Sequence, residues 1–271
     1  MWKQIASVLA CLPGLVLAGP SLQRGHAGAE EPPYGSTVDT VFDIIHASDP
    51  SAFSCLQYTG RGERQIWDKR VEDEPVVDAF LFVARYVDGT NIEIAINPEY
   101  ENREKARAEA LRFARPLGQL PTVLRQGVHR FSVHKGKEGF HAGTGQVIVY
   151  AGTADERTAA DHLEESLFHE AVHASFDEDH RLSDGWKKAQ ARDGRFLTVY
   201  AERSPEREDL AETALFAYAI LFYPDRFPPA DTTDTRKAVP NRIEYIKRLL
   251  PPDQPIVSHI GPTEACGPDA G

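Results

Sequence analysis

The C-terminal half of the chain is organised around Leu167–His180, which reads LFHEAVHASFDEDH and places histidines and carboxylates beside apolar residues. Two sets of residues recur around it at helical spacing. The apolar set is Leu163, Leu167, Ala171 and Ala174, and the polar set is His162, Ser166, His169 and His173. This periodicity predicts one amphipathic helix whose polar stripe forms a wall of a cleft.

Within this helix, residues 169–173 form the motif H-E-x-x-H. Side chains four residues apart lie on one helix face, with Cβ atoms about 5–6 Å apart. His169 and His173 can therefore both bind one Zn²⁺ at about 2.0–2.1 Å. Glu170 lies at the flank, where it can serve as a general base. The alternative is a solvated, charged helix face, because a chain with 10 histidines can carry this motif by chance.

A catalytic zinc requires a third protein ligand. Asp177 and His180 follow on the same helix, but a helix rises about 1.5 Å per residue, which puts His180 about 10 Å beyond His173. His180 could bind only if the helix broke, and residues 174–179 contain no glycine. The metzincin class also needs a Met-turn. The only methionine is Met1, which argues against that class.

A later segment, residues 208–223, reads EDLAETALFAYAILFY and supplies further candidates. Glu208 and Glu212 lie four apart in an otherwise apolar helix, where buried carboxylates need partners. Glu208 as a zinc ligand, with Glu212 accepting a proton from a ligand imidazole, would satisfy both. The alternatives are that both acids lie exposed in the first helical turns, or that Asp209 replaces Glu208 as the ligand.

Two segments resemble a known family, the gluzincin metallopeptidases. They are HEAVHASFDEDH, residues 169–180, and VYAERSPEREDLAETALFAY, residues 199–218. The resemblance is closest to the catalytic domain of anthrax lethal factor and related secreted bacterial zinc peptidases, and it covers about residues 158–250. Many zinc enzymes share H-E-x-x-H, whereas a tyrosine followed by E-x-x-A-E is more selective.

The resemblance implies a zincin-like catalytic domain that hydrolyses a peptide or protein substrate through a water activated by zinc. The implied zinc ligands are His169, His173 and Glu208, with Glu170 as base, Glu212 supporting a ligand and Tyr200 donating to the oxyanion. Tyr200 has a second interpretation, a packed loop aromatic, because its spacing to Glu208 is one residue longer than expected.

The N-terminal half has a β pattern. Two apolar runs, residues 78–87 and 91–97, flank Asp88-Gly89 and predict a hairpin. The segment 102–120 predicts a helix that ends near Gly118, and residues 129–134 and 146–151 read as two further strands. The second of these, QVIVYA, is either an edge strand that pairs with an extended substrate or a core strand.

Further helices are predicted over residues 38–47 and about 240–250. A capping box at Thr153 and Glu156 is expected to begin the motif helix. Ser204 and Pro205 are expected to begin the helix that runs to Pro224. Strands followed by helices predict an α+β fold. We expect one zincin-like domain over residues 38–271, with a small mixed or antiparallel sheet, then the active-site helix and C-terminal helices.

The N-terminus reads as a secretory signal over residues 1–18, followed by a disordered linker over 19–37. Removal of the signal also removes Cys11 and leaves Cys55 and Cys266, which can form one disulfide or remain unpaired. A secreted or periplasmic location follows, without an integral membrane span after cleavage. The net charge of −11 argues against nucleic acid as a partner.

The sequence therefore predicts an exported zinc metallopeptidase. Two alternatives remain open. One is a zinc hydrolase that acts on another amide bond, since its metal site would look the same. The other is a non-enzymatic secreted protein with structural zinc, which would have no need of Glu170 as a base.

Overall fold

The computed structural model of the chain describes residues 31–37 and 42–267. The predicted signal peptide and the first part of the predicted linker lie outside the described residues. Residues 31–37, the end of that linker, lie against the domain. Among the described residues, no helix has both the length and the apolar character needed to cross a membrane.

The described strands form one mixed sheet in the order β1-β2-β3-β4-β6-β5. The strands are β1 (Phe53–Gln65), β2 (Val76–Tyr86), β3 (Asn91–Ile96), β4 (Arg130–His134), β5 (His141–Gly143) and β6 (Gln146–Tyr150). β4 pairs in parallel with both β3 and β6, and the other pairs are antiparallel. The expected mixed sheet is thus present.

The predicted hairpin joins β2 to β3 through Asp88-Gly89. Gly89 has a φ of +85°, and an added Cβ would lie 2.9 Å from the backbone oxygen of Gly261. Only glycine satisfies both conditions without strain. The turn therefore fixes the hairpin and lets the C-terminal segment pass close over it.

Of the two interpretations of residues 146–151, the edge strand is wrong and the core strand is confirmed. β6 lies between β4 and β5, and the edge strand is the three-residue β5, in which His141 is registered with Ile148. A strand this short has too few residues to show an alternating pattern in the sequence.

Helices follow and separate the strands of the described chain and confirm the α+β class. They are α1 (Arg103–Leu117), α2 (Thr122–Gly127), α3 (Ala151–Ala159), α4 (Leu163–Phe176), α5 (Asp184–Asp193), α6 (Val199–Arg203), α7 (Asp209–Phe222), α8 (Pro229–Ala238) and α9 (Pro240–Leu249). α3 to α9 all follow the last strand.

Three predicted helix starts are wrong. Thr153 and Glu156 lie inside α3 and not before α4, and the Thr153 hydroxyl donates to the backbone of Glu138. Ser204 does not begin α7, because residues 204–208 form a turn and Glu208 occupies the cap position. Residues 42–47 are not helical, and residues 38–41 of that predicted helix are not described.

α4 and α7 pack directly against each other through apolar side chains. The Phe168 and Tyr218 rings stack with centroids 4.7 Å apart, and Ala171 and Ala214 are fully buried. Small side chains let two helices approach closely. This packing brings the polar side of α4 to the start of α7, where the acidic residues lie.

Cys55 in β1 and Cys266 in the C-terminal tail lie at disulfide distance, with Cα atoms 6.2 Å apart. Their separation of 211 residues makes this a long closure. By loop entropy such a crosslink stabilises the folded state by about 5 kcal/mol. The pair predicted from the sequence is therefore geometrically competent to bond.

Candidate metal centre

α4 directs its two motif histidines at one point. The Nε2 atoms of His169 and His173 lie 3.1 Å apart, and both side chains are buried. This follows from the four-residue spacing, which puts the two rings on one helix face. Both imidazoles therefore present the same ring nitrogen to the same space.

Glu208 completes the group from the cap position of α7. Its Oε2 lies 3.2 Å from Nε2 of His173 and 3.4 Å from Nε2 of His169. Within the described part of the chain, these three residues form the one cluster of histidine, cysteine and acidic side chains that could hold a metal ion. We call them the metal triad.

The spacing of the triad fits a tetrahedral ion. Ligands at about 2.0–2.1 Å from a tetrahedral Zn²⁺ lie about 3.3 Å from one another. The three donor separations are 3.1, 3.2 and 3.4 Å. Two imidazoles with one carboxylate also make a donor set typical of catalytic zinc, whereas magnesium and calcium prefer oxygen ligands alone. The residues present therefore fit the predicted cofactor.

The second ring nitrogen of His173 has its own acidic partner. Its Nδ1 donates to Oδ2 of Asp177 at 2.9 Å. Burial lowers the pKa of His173, but the hydrogen bonds with Asp177 and Glu208 outweigh burial and raise it to about 10. A site that stabilises an imidazolium this strongly also stabilises a metal cation in the same position. Asp177, considered as a ligand from the sequence, instead orients one.

The second ring nitrogen of His169 faces two oxygens. Its Nδ1 lies 3.3 Å from the Thr37 hydroxyl and 3.4 Å from Oε1 of Glu212. Glu212 is 1% exposed. The expected support of a ligand imidazole by Glu212 has this geometry, whereas nothing in the sequence pointed to Thr37.

Glu208 is held from its outer side as well. Its Oε1 lies 3.2 Å from Nε of Arg207, whose Nη2 lies 3.2 Å from Nδ1 of His141 in β5. Burial alone would raise the pKa of Glu208, but hydrogen bonds with His169 and His173 hold it well below its usual range. The carboxylate is therefore charged and directs one oxygen to the triad.

The triad opens into a cleft of about 1390 Å³, between the sheet edge and helices α4, α6 and α7. Glu170 and Tyr200 both line it. Burial raises the pKa of Glu170, which makes its carboxylate a stronger base. Burial and the charge of Glu208 raise the pKa of Tyr200 to about 12, although its side chain is 43% exposed.

The other candidate ligands lie outside the triad. After Phe176 the helix continues as one π-helical turn, Asp177–Arg181, and Nδ1 of His180 lies 3.0 Å from the Tyr245 hydroxyl. Asp209 is fully buried and accepts from Gln190 and Arg242. Neither residue belongs to the cluster of candidate metal ligands.

Searches of protein-family models, of curated proteins and of solved structures find no match to this chain. The function of the chain is therefore inferred from the geometry of its cleft and from its own motifs.

Proposed function

We propose that the chain is an exported zinc-dependent metallopeptidase of zincin-like architecture. The observation that supports this most directly is the metal triad at tetrahedral spacing beside Glu170 in an open cleft. The resemblance of residues 169–180 and 199–218 to the gluzincins supports the same reaction. A purely structural zinc would be enclosed by four protein ligands, whereas here three protein donors face solvent-accessible space.

Zinc, when bound by His169, His173 and Glu208, supplies a Lewis acid that polarises the scissile carbonyl and acidifies a water. Glu170 accepts the proton of the attacking water and passes it to the leaving amine. The raised pKa of Glu170 favours the first half of that transfer, because a more basic carboxylate takes the proton of water more readily.

Tyr200 is the proposed donor to the oxyanion. Its pKa of about 12 keeps the hydroxyl protonated at neutral pH, as a hydrogen-bond donor must be. The charge of Glu208 contributes to that raised pKa, which supports a hydroxyl close to the triad. Its exposure to the cleft leaves it accessible to a substrate carbonyl.

The edge strand β5 is the proposed template for the substrate. Among the described residues, β5 pairs with β6 on one side only, and its first residue, His141, lines the cleft. An extended peptide can add to such an edge through main-chain hydrogen bonds. Pairing with the substrate, a role first considered for β6, is thus proposed for β5.

The test combines zinc content with digestion of casein and of a peptide library. The wild type should contain about one zinc per chain and cleave peptide bonds. Glu170→Gln should keep the zinc and lose hydrolysis, whereas Glu164→Gln, on α4 but outside the cleft, should keep both. Absence of zinc in metal-replete protein would refute the proposal. Zinc without any peptide cleavage would favour hydrolysis of another amide bond.

A further inference from the structure

The segment Glu31–Thr37, here called the N-terminal strap, lies along the metal-site side of the fold. Tyr34 forms a parallel β-bridge with Thr198, and its carbonyl accepts from the backbone of Val199 at 2.9 Å. The backbone of Tyr200 donates to Gly35 at 3.0 Å. The strap is therefore anchored to the residues that carry the proposed oxyanion donor.

Thr37 ends the strap inside the protein, with an exposure of 1%. Its backbone N–H donates to Oε2 of Glu212 at 2.9 Å, and its hydroxyl donates to Oε1 of the same residue at 2.6 Å. Its carbonyl lies 2.9 Å from Nε2 of His162, which donates to it. Both oxygens of Glu212 are therefore held by one residue of the strap.

These contacts determine the tautomer of His169. A threonine hydroxyl has one proton, and that proton is used in the short bond to Glu212. Toward Nδ1 of His169, 3.3 Å away, the hydroxyl oxygen can therefore only accept. Nδ1 must carry the ring proton, which leaves the Nε2 lone pair directed at the other members of the metal triad.

We propose that Thr37 is a positioning residue of the metal centre, through which the N-terminal strap sets the orientation of Glu212 and His169. This deepens the proposed function and rests on the zinc site that it assumes. It also gives the segment before the first strand a role in metal affinity. Signal cleavage at the predicted position, after Ala18, would leave Thr37 on the exported chain.

The test measures zinc affinity of the full chain by competition with a chromophoric chelator. Thr37→Val keeps the shape and the backbone bond to Glu212 but removes the hydroxyl. It should weaken zinc binding about 10-fold, the lower end of what loss of a ligand's outer partner costs. Thr37→Ser restores the hydroxyl and should bind nearly as the wild type does. Should Thr37→Val fail to fold, Thr37→Ala lacks the same hydroxyl without a branched side chain.

Thr122→Val is the matched control. Thr122 is also a buried threonine whose hydroxyl donates to a buried carboxylate, Asp88, but it lies outside the metal site. Its substitution should lower stability and leave zinc affinity unchanged. The absorption spectrum of the cobalt-substituted protein gives a second measure, and it should change in Thr37→Val and not in Thr122→Val.

A double-mutant cycle with Glu212→Ala tests the route. If Thr37 acts through Glu212, Thr37→Val should have little further effect once Glu212 is removed. Equal zinc affinity in wild type and Thr37→Val, equal loss in Thr37→Val and Thr122→Val, or an undiminished effect without Glu212 would each overturn the inference. A wild type that binds no zinc would instead refute the proposed function, so the two failures are distinguishable.

Discussion

Glu208 and Asp209 are neighbours at the start of α7, and both are buried carboxylates. Their partners differ in kind. Asp209 accepts from Arg242 and Gln190, whereas Glu208 directs one oxygen at two imidazoles. Two carboxylates that are adjacent in sequence therefore differ in role. Asp209 is paired with an arginine of the protein, whereas Glu208 faces two other potential metal ligands.

The cluster around Arg242 is closed. The guanidinium is fully buried and pairs with Asp209 and, at 3.0 Å, with Asp193, while it also donates to the carbonyl of Arg195. It joins α5, α7 and α9. A fixed protein cation lies among the carboxylates, so this cluster needs no ion from solution.

The metal triad is open by comparison. Its three donors lie within 3.4 Å of one another, whereas the guanidinium of Arg207 contacts Glu208 at its other oxygen, Oε1. Burying such groups without a cation costs free energy, and a metal ion removes that cost. The contrast indicates that a metal site is marked by donor atoms that converge on one another, since burial and charge are common to both clusters.

The largest expected effect is loss of the ion. His173→Ala and Glu208→Ala should each reduce zinc from about one per chain to near zero, because two protein ligands do not make a stable site. Asp209→Asn keeps the size of the neighbouring side chain and should retain the zinc. Elemental analysis of the purified proteins measures this, and zinc lost from Asp209→Asn but kept by Glu208→Ala would reverse the comparison.

Removal of Arg242, the cation of the closed cluster, should mainly lower the stability of the fold. Arg242→Leu leaves Asp193 and Asp209 buried without their counter-charge, which costs about 3–5 kcal/mol. Urea unfolding of the metal-free protein measures it. Arg236→Leu, an exposed arginine on α8, should change stability by less than about 0.5 kcal/mol. A difference of under 1 kcal/mol between the two variants would mean that the closed cluster is not structural.

Much of the triad could be predicted from the sequence, because each step depended on local spacing. The four-residue separation of His169 and His173 needs only a helix, and the acids at 208 and 212 stand out in an apolar segment. The α+β class could also be predicted, since the helix patterns after residue 151 follow one another without strands between them.

What could not be predicted depended on distant contacts. Thr37 meets His169 across 132 residues and Glu212 across 175, and nothing local distinguishes it from other threonines. The start of α7 was misplaced because Ser204 and Pro205 have the right local chemistry for a helix start. The turn over residues 204–208 instead carries Glu208 to the cap position, where it reaches the triad.

A smaller loss of zinc affinity is expected when Glu212, which supports His169 from its outer side, is removed. Glu212→Ala removes the carboxylate beside Nδ1 of His169 and should weaken zinc binding by about 10–100-fold without emptying the site. Glu206→Ala, an exposed acid in the turn before α7, is the matched control and should bind zinc as the wild type does. Chelator competition compares them, and equal affinities in the two variants would remove Glu212 from the metal centre.

The smallest effect is expected at His180, the histidine closest in sequence after the motif. The helix does not stop after His173 but runs through Phe176 into the π-helical turn, which directs His180 to the Tyr245 hydroxyl on α9. His180→Ala should therefore leave zinc content unchanged and cost about 0.5–1.5 kcal/mol of stability through the lost hydrogen bond. Tyr245→Phe removes the partner hydroxyl, which also lies 3.1 Å from the Ser183 hydroxyl, and should cost at least as much. If His180→Ala emptied the site while Glu208→Ala did not, the helix would have to break after His173, and the metal centre would belong to a class with three histidines.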